Sequence, residues 1–154
     1  MKTILALMIC GATLIAAKPV ELTPENLKAA LDFAESAWGY HISDPIHLQP
    51  ERLNPCVLNK DEAAVITVLT KTSATLLDGV RTELPATYEY IVRVNSNCHW
   101  TQPWLDQVMS HEFGHILIGA SFHSPNPRSI MYRITKPSGQ CVLEEDRKLV
   151  VRFN

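Results

Sequence analysis

Hydrophobic residues are laid out along this chain in two different ways. Behind the basic start Met1-Lys2, Thr3 to Ala17 is a largely apolar run that closes on the small residues Ala16 and Ala17, ahead of Lys18-Pro19. Its length of about 15 residues falls short of the roughly 20 that a membrane span takes. The run therefore predicts a secretory signal peptide over residues 1–17, cleaved near Ala17. From residue 18 onward, polar positions break the apolar ones into short periodic groups. No internal repeat, low-complexity stretch or long linker interrupts them, and residues 18–154 read as a single domain.

The periods name the elements. Thr23-Pro24 is a helix start, a cap residue followed by proline in the first turn, and Leu27, Ala30, Leu31, Ala34, Ala37 and Trp38 then recur at three- and four-residue spacing. Gly39 is the expected stop. Pro45, Pro50 and Pro55 follow, so any strand near residues 42–48 is short or lies at an edge. The β-branched stretch Ala64 to Thr70 predicts a central strand. Tyr88 to Asn95 alternates, with Tyr88, Tyr90, Val92 and Val94 on one face. Between the two, Asp78-Gly79 suggests the tight turn of a hairpin at the sheet edge. A second helix is capped by Thr101, has Pro103 in its first turn and Asp106 favouring its N-terminal end, and runs through Leu105, Val108, Met109 and Phe113 to about Ile118, before Gly119. A last helix is expected from Leu143 or Glu144 to the C-terminus, with Glu144, Glu145 and Asp146 in its first turn. The sum is an α+β domain: a small mixed, twisted sheet with an N-terminal helix, a second helix after the sheet and a C-terminal helix.

Composition narrows the function classes. With 154 residues, 46% of them hydrophobic, and a net charge of −2, the chain is neither disordered nor a basic nucleic-acid binder. Export implies an extracellular or periplasmic destination, with no stable membrane association once the leader is removed, and an oxidising one. Cys56, Cys98 and Cys141 follow the leader, so one disulfide and one remaining thiol are expected from three possible pairings. Cys98 and Cys141 each stand just before a predicted helix, which favours that pair.

The chemistry concentrates in His111-Glu112-Phe113-Gly114-His115. Two histidines at i and i+4 on a helix point the same way and can take two positions on one Zn²⁺. Glu112, about 100° further round the axis, reaches a water on the metal rather than the metal itself. A catalytic zinc takes a third protein ligand and leaves the fourth position to water. His123, Glu144, Glu145 and, less favoured, His99 are the candidates for that third place.

The pentapeptide, followed by Gly119 and by His123-Ser124, resembles the active site of the metzincin zinc peptidases, particularly the matrixins. Ser129-Ile130-Met131-Tyr132 is similar to the Met-turn of that family, and Leu143-Glu144-Glu145-Asp146 through Phe153 to its C-terminal helix. Ile91 to Asn95 and Trp104 to Val108 resemble the strand and helix start that precede the motif, so the likeness spans roughly Thr23 to Asn154. It implies a metzincin-like fold and a monomeric, secreted zinc endopeptidase. His111, His115 and His123 would hold one catalytic Zn²⁺, Glu112 would act on water, and Met131 would form a floor beneath the ligands. An extended peptide would lie antiparallel to the sheet's edge strand. Asp146 could anchor the last helix near the Met-turn, but reads first as a helix-terminal charge. The chain departs from the family in spacing: Gly119 and His123 stand four and eight residues after His115, where the family has three and six. Arg133-Ile134-Thr135 replaces the Pro-x-Tyr of the matrixin specificity pocket, and no His-rich loop for structural zinc and calcium is visible. Two other readings stand beside this one: a zinc peptidase of another clan with Glu144 or Glu145 as third ligand, and a non-catalytic, zinc-stabilised secreted binding module.

Overall fold

The structure, a computed structural model, describes residues 18–56, 63–71, 74–77, 80–83, 87–119, 121–135 and 139–150. The expected leader at residues 1–17, the Asp78-Gly79 turn and the last four residues lie outside them. The described elements are α1 (Pro24–Trp38), β1 (Ile46–Glu51), β2 (Ala64–Lys71), β3 (Ala74–Leu77), β4 (Val80–Glu83), β5 (Thr87–Asn95), α2 (Gln102–Ile118) and α3 (Glu144–Arg147). This is an α+β architecture with a small mixed sheet. No described helix is long and apolar enough to cross a membrane.

Helix α1 begins and ends where its residues dictate. The Thr23 hydroxyl accepts from the Asn26 N–H, and Gly39 takes a φ of 74°, from which its N–H bonds the Glu35 carbonyl at 2.8 Å. Leu27, Ala30, Ala34 and Trp38 form its buried stripe, packed on α2.

The main sheet has the order β1-β5-β2, with β1 parallel and β2 antiparallel to β5. The central strand is therefore β5; β2, expected in the middle from its β-branched residues, is an edge strand of this sheet. The physical reason lies in the alternation. Tyr90, Val92 and Val94 are buried on one face of β5 and hydrogen-bonded neighbours cover both its sides, whereas Val68 and Leu69 of β2 are exposed. Strand β1 carries Pro50 at the opposite edge, where a missing N–H costs no ladder bond. The outer face carries polar pairs: His47 bonds Glu89 at 2.6 Å, and Arg93 donates to the Thr67 hydroxyl at 3.2 Å. β3 and β4 pair as a separate antiparallel ribbon.

Past β5 the chain is tied down hard. Asn95 is fully buried; its side chain donates to the Asn54 carbonyl at 2.8 Å and accepts from the Asn97 N–H at 3.0 Å, while its carbonyl accepts from the Trp100 indole at 2.9 Å. The disulfide joins Cys56 to Cys98, not Cys98 to Cys141, the pair expected from their places just before predicted helices. Cys56 follows β1 and Cys98 follows β5; because these strands run parallel and adjacent, their ends emerge together, a proximity that sequence spacing does not reveal. Helix α2 is then buried almost all round, from Val108 through Leu117 without a break. Thr101 occupies its cap position without a side-chain cap bond, and Asp106 lies beyond the first turn, where it accepts from Gln102 at 2.6 Å. Helix α3 is a single turn, shorter than expected among the described residues, and is held by Arg147 donating to the Ala37 carbonyl at the end of α1.

Candidate metal centre

His111 and His115 stand one turn apart on α2, both buried, their rings 4.6 Å apart and at right angles. Each ring is oriented by a backbone carbonyl. Nδ1–H of His111 donates to the Ile130 carbonyl at 2.7 Å, and Nδ1–H of His115 to the Gly119 carbonyl at 3.4 Å. A carbonyl only accepts, so the proton of each neutral ring belongs on Nδ1 and the lone pair on Nε2. The two Nε2 atoms face each other at 3.0 Å. Two lone pairs so placed repel unless a cation lies between them.

The third histidine comes from the loop after α2. The helix ends at Gly119, whose φ of 122° only glycine adopts without strain. The chain then turns until Ser124 donates its N–H to the Met131 carbonyl at 2.8 Å. That bond sets His123 over the helix, 5.4 Å from the His111 ring and 4.9 Å from the His115 ring. One nitrogen from each of the three lies within 4.8 Å of the others, and this is the group among the described residues that could hold a metal ion. The residues after Gly119 thus deliver His123 to the pair. His99, Glu144 and Glu145 are exposed and outside the group; Glu145 instead accepts from the Asn126 amide at 2.9 Å. Glu112 is buried on the next helical position after His111.

Below the histidines, Met131 is wholly buried beneath the helix. Its Sδ and the Trp38 ring close on Gly114 so tightly that a Cβ there would meet both side chains. Glycine inside a buried helix is explained by this close approach. Trp38 cannot swing aside easily, since its indole donates to the Ser110 carbonyl at 2.8 Å.

The surroundings make the rings ready ligands, with His111 and His115 buried and His123 exposed at the rim. Burial holds the His111 imidazole down to about 4, against the opposing bond to the Ile130 carbonyl. Burial also lowers His115, and partial desolvation with the Arg133 guanidinium lowers His123. At neutral pH these are neutral imidazoles, so a metal has no proton to displace.

Several supports carry no sequence signature. The carbonyls of Ile130 and Gly119 act through the backbone, and Trp38 looks in sequence like any core residue. Asp146, read first as a helix-terminal charge, is instead 1% exposed and accepts from Ser129 beside Met131 at 2.7 Å. Comparison of the chain with family models, curated proteins and solved structures finds no match, so what is established is a group of three histidines, placed by α2 and its following loop, that could hold a metal ion.

Proposed function

We propose that this protein is a secreted zinc endopeptidase of metzincin, matrixin-like type, acting on protein or peptide substrates as a monomer. One observation carries the reading: His111, His115 and His123 each offer a nitrogen within 4.8 Å of the others, with Glu112 next to the first of them on the same helix. Three neutral imidazoles suit an ion that takes three protein ligands and keeps one position open, as zinc does in peptidases. Bound there, zinc supplies Lewis acidity toward water and a peptide carbonyl.

The chain's own residues do the rest. The carboxylate of Glu112 takes the proton of the attacking water and returns it to the amine that leaves when the C–N bond breaks, so the base of the first half is the acid of the second. The carbonyls of Ile130 and Gly119 keep the His111 and His115 rings turned with Nε2 toward the site. Met131 has no acid–base chemistry; it fills the space below Gly114 and keeps the helix at a fixed height. An extended peptide would add along the sheet edge through main-chain hydrogen bonds, a mode that asks little of side-chain charge and suits a chain of net charge −2. The apolar leader addresses this activity to the secretory route, and the charge balance argues against a nucleic-acid partner.

The deciding variant is Glu112→Gln, which keeps the shape and removes the base. Zinc content should stay at one ion per chain while cleavage of casein or gelatin drops by roughly a hundredfold to ten-thousandfold. Undiminished cleavage would overturn the role of Glu112. Zinc uptake by the parent protein with no cleavage of any substrate panel would instead leave a zinc-stabilised binding module.

A further inference from the structure

The peptide group that joins Ile130 to Met131 is hydrogen-bonded at both ends. Its carbonyl accepts from Nδ1–H of His111 at 2.7 Å, and its N–H donates to the Ser129 Oγ at 2.9 Å. The Ser129 hydroxyl has one proton, which it donates to Oδ1 of Asp146 at 2.7 Å. Ser129, Met131 and Asp146 are all buried, so water does not compete for any of these bonds. Capping the short helix α3 occupies only one carboxylate oxygen: Oδ2 accepts from the Leu143 N–H at 2.9 Å. Oδ1 is left to reach a serine 17 residues away.

We infer that Asp146 and Ser129 are positioning residues for His111, linking a buried carboxylate through one hydroxyl and one peptide group to the ring that would bind the metal. The inference rests on the reading of the three histidines as a zinc site. Each acceptor in the chain is polarised by the bond beyond it: the anion strengthens Ser129 as an acceptor for the peptide N–H, and the peptide carbonyl then holds the Nδ1 proton more firmly. The consequence at the far side of the ring is a fixed tautomer, a fixed orientation and a more electron-rich Nε2. Metal-bound histidines commonly lean on a carboxylate or carbonyl in this way. Here both are present, in series. His115 has a longer bond, 3.4 Å to Gly119, so His111 is the more firmly held ligand of the pair.

The test compares zinc affinity of the full chain, by competition with a chromophoric chelator, with urea unfolding of the metal-free protein. Ser129→Ala and Asp146→Asn are expected to weaken zinc binding about 10- to 100-fold, and Ser129→Thr, which keeps the hydroxyl, to remain close to the parent. The visible spectrum of the cobalt-loaded protein should change in the first two variants and not in the third. A parent protein that binds no zinc overturns the zinc reading and this inference with it. Parent binding that Ser129→Ala and Asp146→Asn leave unchanged, or weaken only as far as they weaken the metal-free fold, overturns the positioning role alone. Should either variant fail to fold, proton NMR of the zinc-loaded parent decides. Slowly exchanging signals from the His111 Nδ1–H and the Ser129 hydroxyl are expected, and rapid exchange of both overturns the inference.

Discussion

At Gly114 a hydrogen atom stands where any other residue would carry carbon. An added Cβ would lie 2.5 Å from Cζ2 of Trp38 and in collision with Sδ of Met131. The methionine end can yield, but Trp38 is buried and bonded to the Ser110 carbonyl. Gly114→Ala should therefore lower the unfolding free energy by about 1–3 kcal/mol, as overpacking of a filled core does, although alanine is otherwise the better helix former. Urea titration would measure it, and an unchanged or higher midpoint would show that the floor is looser than this contact implies. The glycine in His-Glu-Phe-Gly-His was visible in sequence. Its reason was not, because Trp38 and Met131 lie far from it along the chain in opposite directions.

Among the elements, the weight falls on the junction of β1, β5 and α2. The parallel pairing of β1 with β5 brings Glu51 opposite Asn95, and the residues just beyond them are locked by Asn95 and by the Cys56–Cys98 disulfide. Helix α2 starts only a few residues later, so this lock sets the point from which His111 and His115 are projected. The bridge spans a sequence separation of 42, for which a chain-entropy account gives about 4 kcal/mol of stabilisation. The double variant Cys56→Ser/Cys98→Ser is expected to lose stability on that scale in guanidinium unfolding; an unaltered midpoint would mean that the Asn95 network alone holds the junction. Helix α2 itself was legible from Pro103 and the spacing of Leu105, Val108, Met109 and Phe113. That it is buried without a break from Val108 to Leu117 was not, since burial of Ser110, His111, Glu112 and His115 depends on what packs over them.

At the scale of the molecule, four separate parts of the chain meet at one place. α1 brings Trp38, α2 brings two histidines, the following loop brings His123 and Met131, and α3 brings Asp146 under that loop. The rival candidates for a third ligand lie outside the histidine group: Glu145 accepts from Asn126, and Glu144 is exposed. Zinc content after dialysis should accordingly collapse in His123→Ala and stay at one ion per chain in Glu145→Ala. The reverse pattern would transfer the third place to the carboxylate. In the same pair of proteins, saturating zinc should raise the thermal midpoint of Glu145→Ala and leave that of His123→Ala nearly unmoved, because only an ion bound to the folded form stabilises it.

Local sequence determined the elements whose cause is local. Thr23-Pro24 and Gly39 bound one helix, the alternation from Tyr88 to Asn95 marks a strand with one buried face, and the i, i+4 histidines share a helix face whatever surrounds them. These follow from the 3.6- and 2-residue periods of the backbone and from capping chemistry within a few residues. Only the tertiary structure decided the matters that depend on distant partners: that β5 and not β2 is central, that Cys98 pairs with Cys56, that Asp146 is a buried acceptor and not a surface charge, and that His123 rather than a glutamate joins the pair. Each of these is a meeting of residues that no local period links, 17 apart for Ser129 and Asp146 and 42 for the disulfide, and no short-range pattern records which of several compatible partners the packing will bring within bonding distance.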